Sequence, residues 1–255
     1  MKIRIVSSSV DSACSEKHFA ASYIVNGQVA FDAGSIGFMS SIDAQRGIQH
    51  LFLSHGHMDH IASLPIFLDN VYQQGPDAVR IYAPQDTLDS LQSDVFNERL
   101  WPDLIRLSQE VSPFMHLSPM SAGETVVVGD LRITSLPLDH VVTTFGFIIH
   151  DGTGSVAIVS DTQPLDSIWE TLNQVSDLKA LFLECAFPNR MAPLAAISKH
   201  LIPKSFAEGC GQLRHDIPIV AVHIKPVYRD EILAELAALR IPQLVIGVPN
   251  TDFEF

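Results

Sequence analysis

Apolar residues recur along this chain in short runs, separated by glycine, proline and small polar residues. Alternation over residues 2–6, 21–25 and 28–32 predicts three successive strands, since side chains two apart share a face. Asn26-Gly27, between the second and third, is a pair suited to a two-residue hairpin turn. Residues 50–54, 79–83, 126–128, 131–136, 145–150, 156–160, 178–184, 218–223 and 243–247 read as further strands. Helical spacing appears over 59–74, with a kink expected near Pro65, and over 86–100, 203–213 and 228–239. There is no repeat, low-complexity tract or long linker. So many strands, with helices interspersed rather than strictly alternating, predict a single α/β domain over 1–255. Its sheets should pack together with helices outside.

Apolar residues make up 47% of the 255 positions, enough for a sizeable core, and charged residues only 18%, too few for a disordered chain. The formal net charge of −13 makes long RNA or DNA a poor partner, because an acidic surface repels polyphosphate. Small anionic substrates stay open if metal ions supply local positive charge. The three cysteines, Cys14, Cys185 and Cys210, form no C-x-x-C pair and leave one thiol over in any disulfide scheme. A reduced, cytoplasmic protein is the expectation, with no signal peptide and no membrane span.

The chemistry concentrates where the strand at 50–54 runs into a polar knot. Leu51 to His60 reads L-F-L-S-H-G-H-M-D-H. In extended chain His55 and His57 point the same way and can grip one metal, with Gly56 easing the backbone between them. Asp59 and His60 open the next helix and can face a second metal. Neutral imidazoles and carboxylates suit zinc and similar divalent ions. Such a pattern arises by chance about once in a thousand chains of this histidine content. Further donors stand at strand ends: His140 after 131–136, Asp161 after 156–160 and His223 after 218–222. A lone histidine at a strand end is usually structural; three donors in order behind the first motif read as ligands.

H-x-H-x-D-H followed by a His, an Asp and a His in that order resembles the metallo-β-lactamase superfamily. The resemblance implies an αββα sandwich of two mixed sheets with the site along one edge. It implies that His55, His57 and His140 bind one metal, that Asp59, His60 and His223 bind the other, and that Asp161 bridges them. Phe31-Asp32-Ala33-Gly34 resembles the family's Asp-x-Gly element, with Asp32 orienting the metal-binding loop. Four more segments are similar to the class II cyclic-nucleotide phosphodiesterases. These are Phe96-Asn97…Trp101-Pro102-Asp103-Leu104, Glu184-Cys185-Ala186-Phe187-Pro188-Asn189, Ser198-Lys199-His200-Leu201 and His223-Ile224-Lys225-Pro226. The chain departs from that pattern in the 7–20 segment, at Lys199 (usually glycine) and at Ala186 (usually serine).

What this implies is a hydrolase with a binuclear centre that cleaves 3′,5′-cyclic nucleotides, cAMP or cGMP, to 5′-monophosphates. Two divalent ions about 3.5–4 Å apart would carry a bridging hydroxide as nucleophile. Zinc is the first choice, with manganese or iron also suited to the donor set. Asp59, Glu184 and His200 are the residues expected to take part in the chemistry, with His200, steadied by Glu184, protonating the leaving oxygen or binding phosphate. Phe96 and Trp101 read as core residues, with base stacking the alternative. The partner is a small phosphodiester, neither membrane nor nucleic acid, and a homodimer stays open. The rivals are a tRNA 3′-end-processing nuclease, which needs a basic surface this chain lacks, and a non-catalytic member, which should have lost ligands.

Overall fold

The computed structural model describes residues 1–8, 16–72 and 78–255. Cys14, residues 9–15 of the divergent 7–20 stretch and the expected end of the 59–74 helix lie outside the described residues. The described strands form two seven-stranded sheets. The first holds β1 (Lys2–Ile5), β2 (Tyr23–Val25), β3 (Val29–Phe31), β4 (His50–Phe52), β5 (Val79–Ala83), β6 (Met115–Pro119) and β14 (Asp252–Glu254), in the order β14-β1-β2-β3-β4-β5-β6. The second holds β7 (Thr125–Val128), β8 (Leu131–Leu138), β9 (Thr144–His150), β10 (Ser155–Val159), β11 (Leu178–Glu184), β12 (Ile219–Val222) and β13 (Leu244–Ile246), in the order β13-β12-β11-β10-β9-β8-β7. Both sheets are mixed. Pairing is parallel from β3 to β6 and from β10 to β13, and antiparallel elsewhere.

Strand alternation decides the layers. Ile3, Ile5, Tyr23, Val25, Phe31 and Phe52 turn inward to meet Ile133, Phe147, Ile158, Phe182 and Val222 of the second sheet. Phe31 and Phe147 stand 5.1 Å apart, and Tyr23 and Phe182 6.0 Å, so aromatic rings fill the gap between the sheets. The intervening residues face outward. Ala30, Leu51 and Ile81 meet helices α3 (Leu64–Val71) and α4 (Gln85–Ser90), while Leu181, Leu183 and Ala221 meet α6 (Asp166–Leu172), α8 (Pro203–Cys210) and α9 (Arg229–Leu239). The remaining helices are α1 (Ile42–Arg46), α2 (Met58–Ile61), α5 (Leu104–Glu110) and α7 (Ala192–Ser198). The expected helix–sheet–sheet–helix sandwich is what forms.

Several boundaries differ from the sequence reading. The 59–74 stretch is two helices, α2 and α3. Pro65 does not kink a helix but sits in the first turn of α3, where a missing N–H is tolerated. The break falls at Ser63, whose hydroxyl donates to the Ala33 carbonyl and accepts from Gly37 N. The 86–100 stretch holds α4, one wide turn over Leu91–Val95, and then non-helical chain. Asn97 ends it there, its side-chain oxygen accepting from the N–H groups of both Arg99 and Leu100. β6, β14, α1, α5, α6 and α7 carry no clear period and were not expected. Cys185 and Cys210 are both free thiols, and no helix among the described residues is long and apolar enough to cross a membrane.

Candidate metal centre

One edge of the sandwich gathers the polar side chains. Asp32 follows β3, His55 follows β4, Asp161 follows β10, Glu184 ends β11 and His223 follows β12. These strands run parallel within their sheets, so their carboxyl ends open on a common side, where open α/β sheets bind ligands. His140 follows β8, two antiparallel steps from β10, and so reaches the same edge. The 55–60 loop is docked by backbone bonds, from Ala21 N to the Asp59 carbonyl at 2.8 Å and from Ala33 N to the His60 carbonyl at 2.7 Å. Gly34 makes this docking feasible: a Cβ there would collide with the Asp59 carbonyl oxygen and lie 2.8 Å from that of Ala21.

The predicted donors come together in two neighbouring groups. Ligand atoms of His55, His57, His140 and Asp161 lie within 4.8 Å of one another, and so do those of Asp59, His60 and His223. Asp161 joins them, with one carboxylate oxygen 3.7 Å from His55 Nε2 and 3.4 Å from His60 Nε2, and the other 3.4 Å from His223 Nδ1. His140 Nε2 and His57 Nδ1 approach to 3.3 Å.

The donor chemistry fits divalent cations. His55 Nε2, His60 Nε2, His223 Nδ1 and Asp161 Oδ1 are buried without any hydrogen-bond partner. Each such orphan costs about 1–3 kcal/mol, and cations held by the two groups of donors would satisfy them. Burial lowers the pKa of His55 and His57 and takes His140 down to about 4, so these three offer neutral lone pairs at pH 7. Burial opposes charge on Asp161 as well, yet His223 and His60 hold its carboxyl well below the usual range. His60 is buried too, but Asp161 and Asp32 draw positive charge to it, which a proton or a metal ion can supply.

Outer contacts aim the donors. Asp32 accepts from Ser54 N (2.7 Å), Ser54 Oγ (2.9 Å) and His60 Nδ1 (2.7 Å), which turns His60 Nε2 toward Asp161. Asp32 and His223 both adopt left-handed backbone, φ 58° and 54°, strain concentrated at the cluster. His140 Nδ1 donates to the Lys199 carbonyl at 3.1 Å. Asp59 is half-buried and meets His223 Nε2 and Lys225 Nζ at 3.2 and 3.1 Å.

Glu184 and His200 form a buried pair beside this cluster. His200 Nδ1 donates to Glu184 Oε1 at 2.8 Å, and His200 Nε2 is left facing Asp161, 4.0 Å away. The carboxylate also accepts from Thr162 N and Ala186 N. Burial disfavours protonating His200, but the Glu184 charge outweighs it and raises the pKa. Phe187 packs its ring against His200, 5.6 Å between centroids. A cleft of about 620 Å³ adjoins His57 and His140, with Asp86, Thr87, Val141 and Val142 among its walls.

Phe96 belongs to the core, 1% exposed, with Trp101 packed against the same cluster. Asn97 and Asp103 make local structure, a turn and the cap of α5. The sequence reading missed Ser54, Asp139, Thr162 and Gln163, which hydrogen-bond among the site loops. Their types carry no spacing signal; only adjacency to the ligands hinted at them.

The family model for the beta-lactamase superfamily domain matches residues 37–245, and the chain belongs to that family. A probable 3′,5′-cyclic-nucleotide phosphodiesterase of Yersinia pestis is 29% identical over 218 residues, 72% of this chain and 59% of that one. The 3′,5′-cyclic-nucleotide phosphodiesterase 1 of Saccharomyces cerevisiae is 24% identical over 230 residues, 76% and 62% respectively. This chain therefore spans about three fifths of the length of these curated relatives. A chloroplastic tRNase Z of Arabidopsis thaliana matches 41% of the chain at 29% identity, covering 28% of its own length. The solved structure of unliganded yeast PDE1 superposes with a TM-score of 0.79 at 16% identity, covering 98% of both chains, which shows the shared fold.

Proposed function

We propose that this protein is a metal-dependent phosphodiesterase that hydrolyses 3′,5′-cyclic nucleotides to 5′-monophosphates. The observation that supports phosphodiester hydrolysis is the buried Glu184–His200 pair, whose Nε2 faces the donor cluster. A tRNA 3′-end nuclease would share that pair, and the acidic charge of this chain favours the cyclic nucleotide. In this reading His55, His57 and His140 hold one ion, Asp59, His60 and His223 a second, and Asp161 lies between them. Two bound divalent ions, zinc in the first instance, would supply activated water near neutral pH and offset charge on the phosphoryl oxygens. Glu184 accepts from His200 Nδ1, which leaves Nε2 facing the donors, and its charge favours protonation of the ring against the effect of burial. His200 Nε2 then carries the proton for the departing sugar oxygen, which an alkoxide needs in order to leave. Asp32 holds His60 and the 55–60 loop still while this happens. The cleft beside His57 and His140 is of a size that holds one mononucleotide.

A net charge of −13 supports a small substrate over a long RNA. The test compares kcat/KM of the metal-loaded protein on cAMP, cGMP, bis(p-nitrophenyl) phosphate and a precursor tRNA. A cyclic nucleotide should lead, with 5′-monophosphate as product. A precursor tRNA cleaved far faster than either cyclic nucleotide would transfer the assignment to RNA processing.

A further inference from the structure

Lys199 has the backbone of a glycine and the side chain of a clamp. It ends α7 in the left-handed region, φ 53° and ψ 60°, which side-chain-bearing residues other than Asn and Asp seldom adopt. Its ammonium lies 2.5 Å from Asp139 Oδ1 and 3.2 Å from the His140 carbonyl oxygen. Its own carbonyl accepts from His140 Nδ1. One residue thus grips His140 at the ring and at the backbone.

The grip extends further. The second oxygen of Asp139 accepts from Gln163 Nε2, Gln163 N donates to the Asp139 carbonyl at 2.9 Å, and Asp139 N donates to Thr162 Oγ1 at 3.2 Å. Thr162 N donates in turn to Glu184 Oε1 at 3.0 Å. Hydrogen bonds therefore run unbroken from Lys199 through Asp139 to the residues just after Asp161, and on to Glu184 and His200. The side chains of Lys199 and Asp139 are each 33% exposed, so the pair is only partly open to solvent.

We infer that Lys199 is a positioning residue, whose side chain locks the 139–140 peptide against the loop carrying Asp161 and so aims His140 at the cluster. A substrate-binding role fits less well, because the ammonium already donates to a carboxylate and a carbonyl within the protein. The left-handed strain at Lys199 is what delivers both contacts at once: the turn that brings its carbonyl to the His140 ring also folds its side chain back over Asp139. This inference rests on the cluster holding metal but not on the identity of the substrate.

The experiment titrates the wild type, Lys199→Met, Lys199→Gly and Asp139→Asn with Co²⁺ against a competing chelator, reading visible absorption, and records Tm for each. Lys199→Met and Asp139→Asn should each weaken the His55–His57–His140 site about tenfold and alter its Co²⁺ bands, since lost ligand-orienting contacts typically cost 10–100-fold in affinity. The site at Asp59, His60 and His223 should stay within about twofold. A protein carrying both Lys199→Met and Asp139→Asn should be no worse than either single variant, because both break the same pair. Lys199→Gly should lose the same affinity while melting no lower than Lys199→Met, since glycine relieves the left-handed turn. Such a separation of affinity from Tm is what a merely structural role would not give. Wild-type affinity for both ions in all three single variants would overturn the clamp, as would equal weakening of both sites in step with Tm. A wild-type protein that takes up no Co²⁺ would overturn the metal centre itself, and the clamp with it.

Discussion

Replacing His200 by alanine separates chemistry from metal binding. His200 is 8% exposed and donates one charge-assisted hydrogen bond, at 2.8 Å, to Glu184. Losing it should cost about 2 kcal/mol. Glu184 is not stranded, because the N–H groups of Thr162 and Ala186 still bond to it. In a domain of this size such a loss lowers Tm by roughly 5 °C, so His200→Ala should remain folded at 25 °C and retain both ions. Its kcat on cAMP should fall about 10²–10⁴-fold, the usual worth of general acid assistance. On bis(p-nitrophenyl) phosphate, whose nitrophenolate leaves almost unaided, the fall should be under about tenfold. The pH profile gives an independent sign. Glu184 raises the pKa of His200, so the acid form persists to higher pH and activity is lost as pH rises through that value. Glu184→Gln removes the raising charge and should move this basic limb to lower pH. The assays are steady-state kinetics on both substrates, with metal analysis of each variant. Equal losses on the two substrates, or an unmoved basic limb in Glu184→Gln, would refute proton donation by His200.

Further outcomes follow from the same geometry. Asp161→Ala removes the carboxylate shared by both groups of donors and should abolish most turnover together with at least one bound ion, as read by elemental analysis. Gly34→Ala puts a methyl group against the Asp59 carbonyl and should destabilise the fold by about 3 kcal/mol in denaturant titration while weakening metal uptake. Phe96→Ala empties a core position, 1% exposed, and should lose about 3–5 kcal/mol yet leave KM for cAMP unchanged; a raised KM would restore base stacking.

The site was more legible in the sequence than the boundaries of the fold. His55, His57, Asp59 and His60 are close in the chain, so backbone geometry alone limits where they point. His140, Asp161 and His223 could be read because each ends a strongly apolar strand. Lys199 could not, because a left-handed φ at a lysine leaves no trace in composition or period, and its meaning appears only once Asp139 lies beside it. The break between α2 and α3 was hidden for a similar reason. Apolar spacing runs on through Ser63, and the bonds that end the helix go to Ala33 and Gly37, about thirty residues earlier in the chain. β14 is three residues long and gains its order from β1, at the other end of the described chain.

The central claim, a phosphodiesterase that needs two ions, is tested most directly by one titration. Chelator-stripped protein is supplied with zinc in steps, and cAMP hydrolysis is followed at each. The account predicts negligible turnover at one equivalent, a steep rise toward two, a plateau beyond, and 5′-AMP as the product. Full activity at one equivalent, or undiminished activity in the stripped protein, would contradict it.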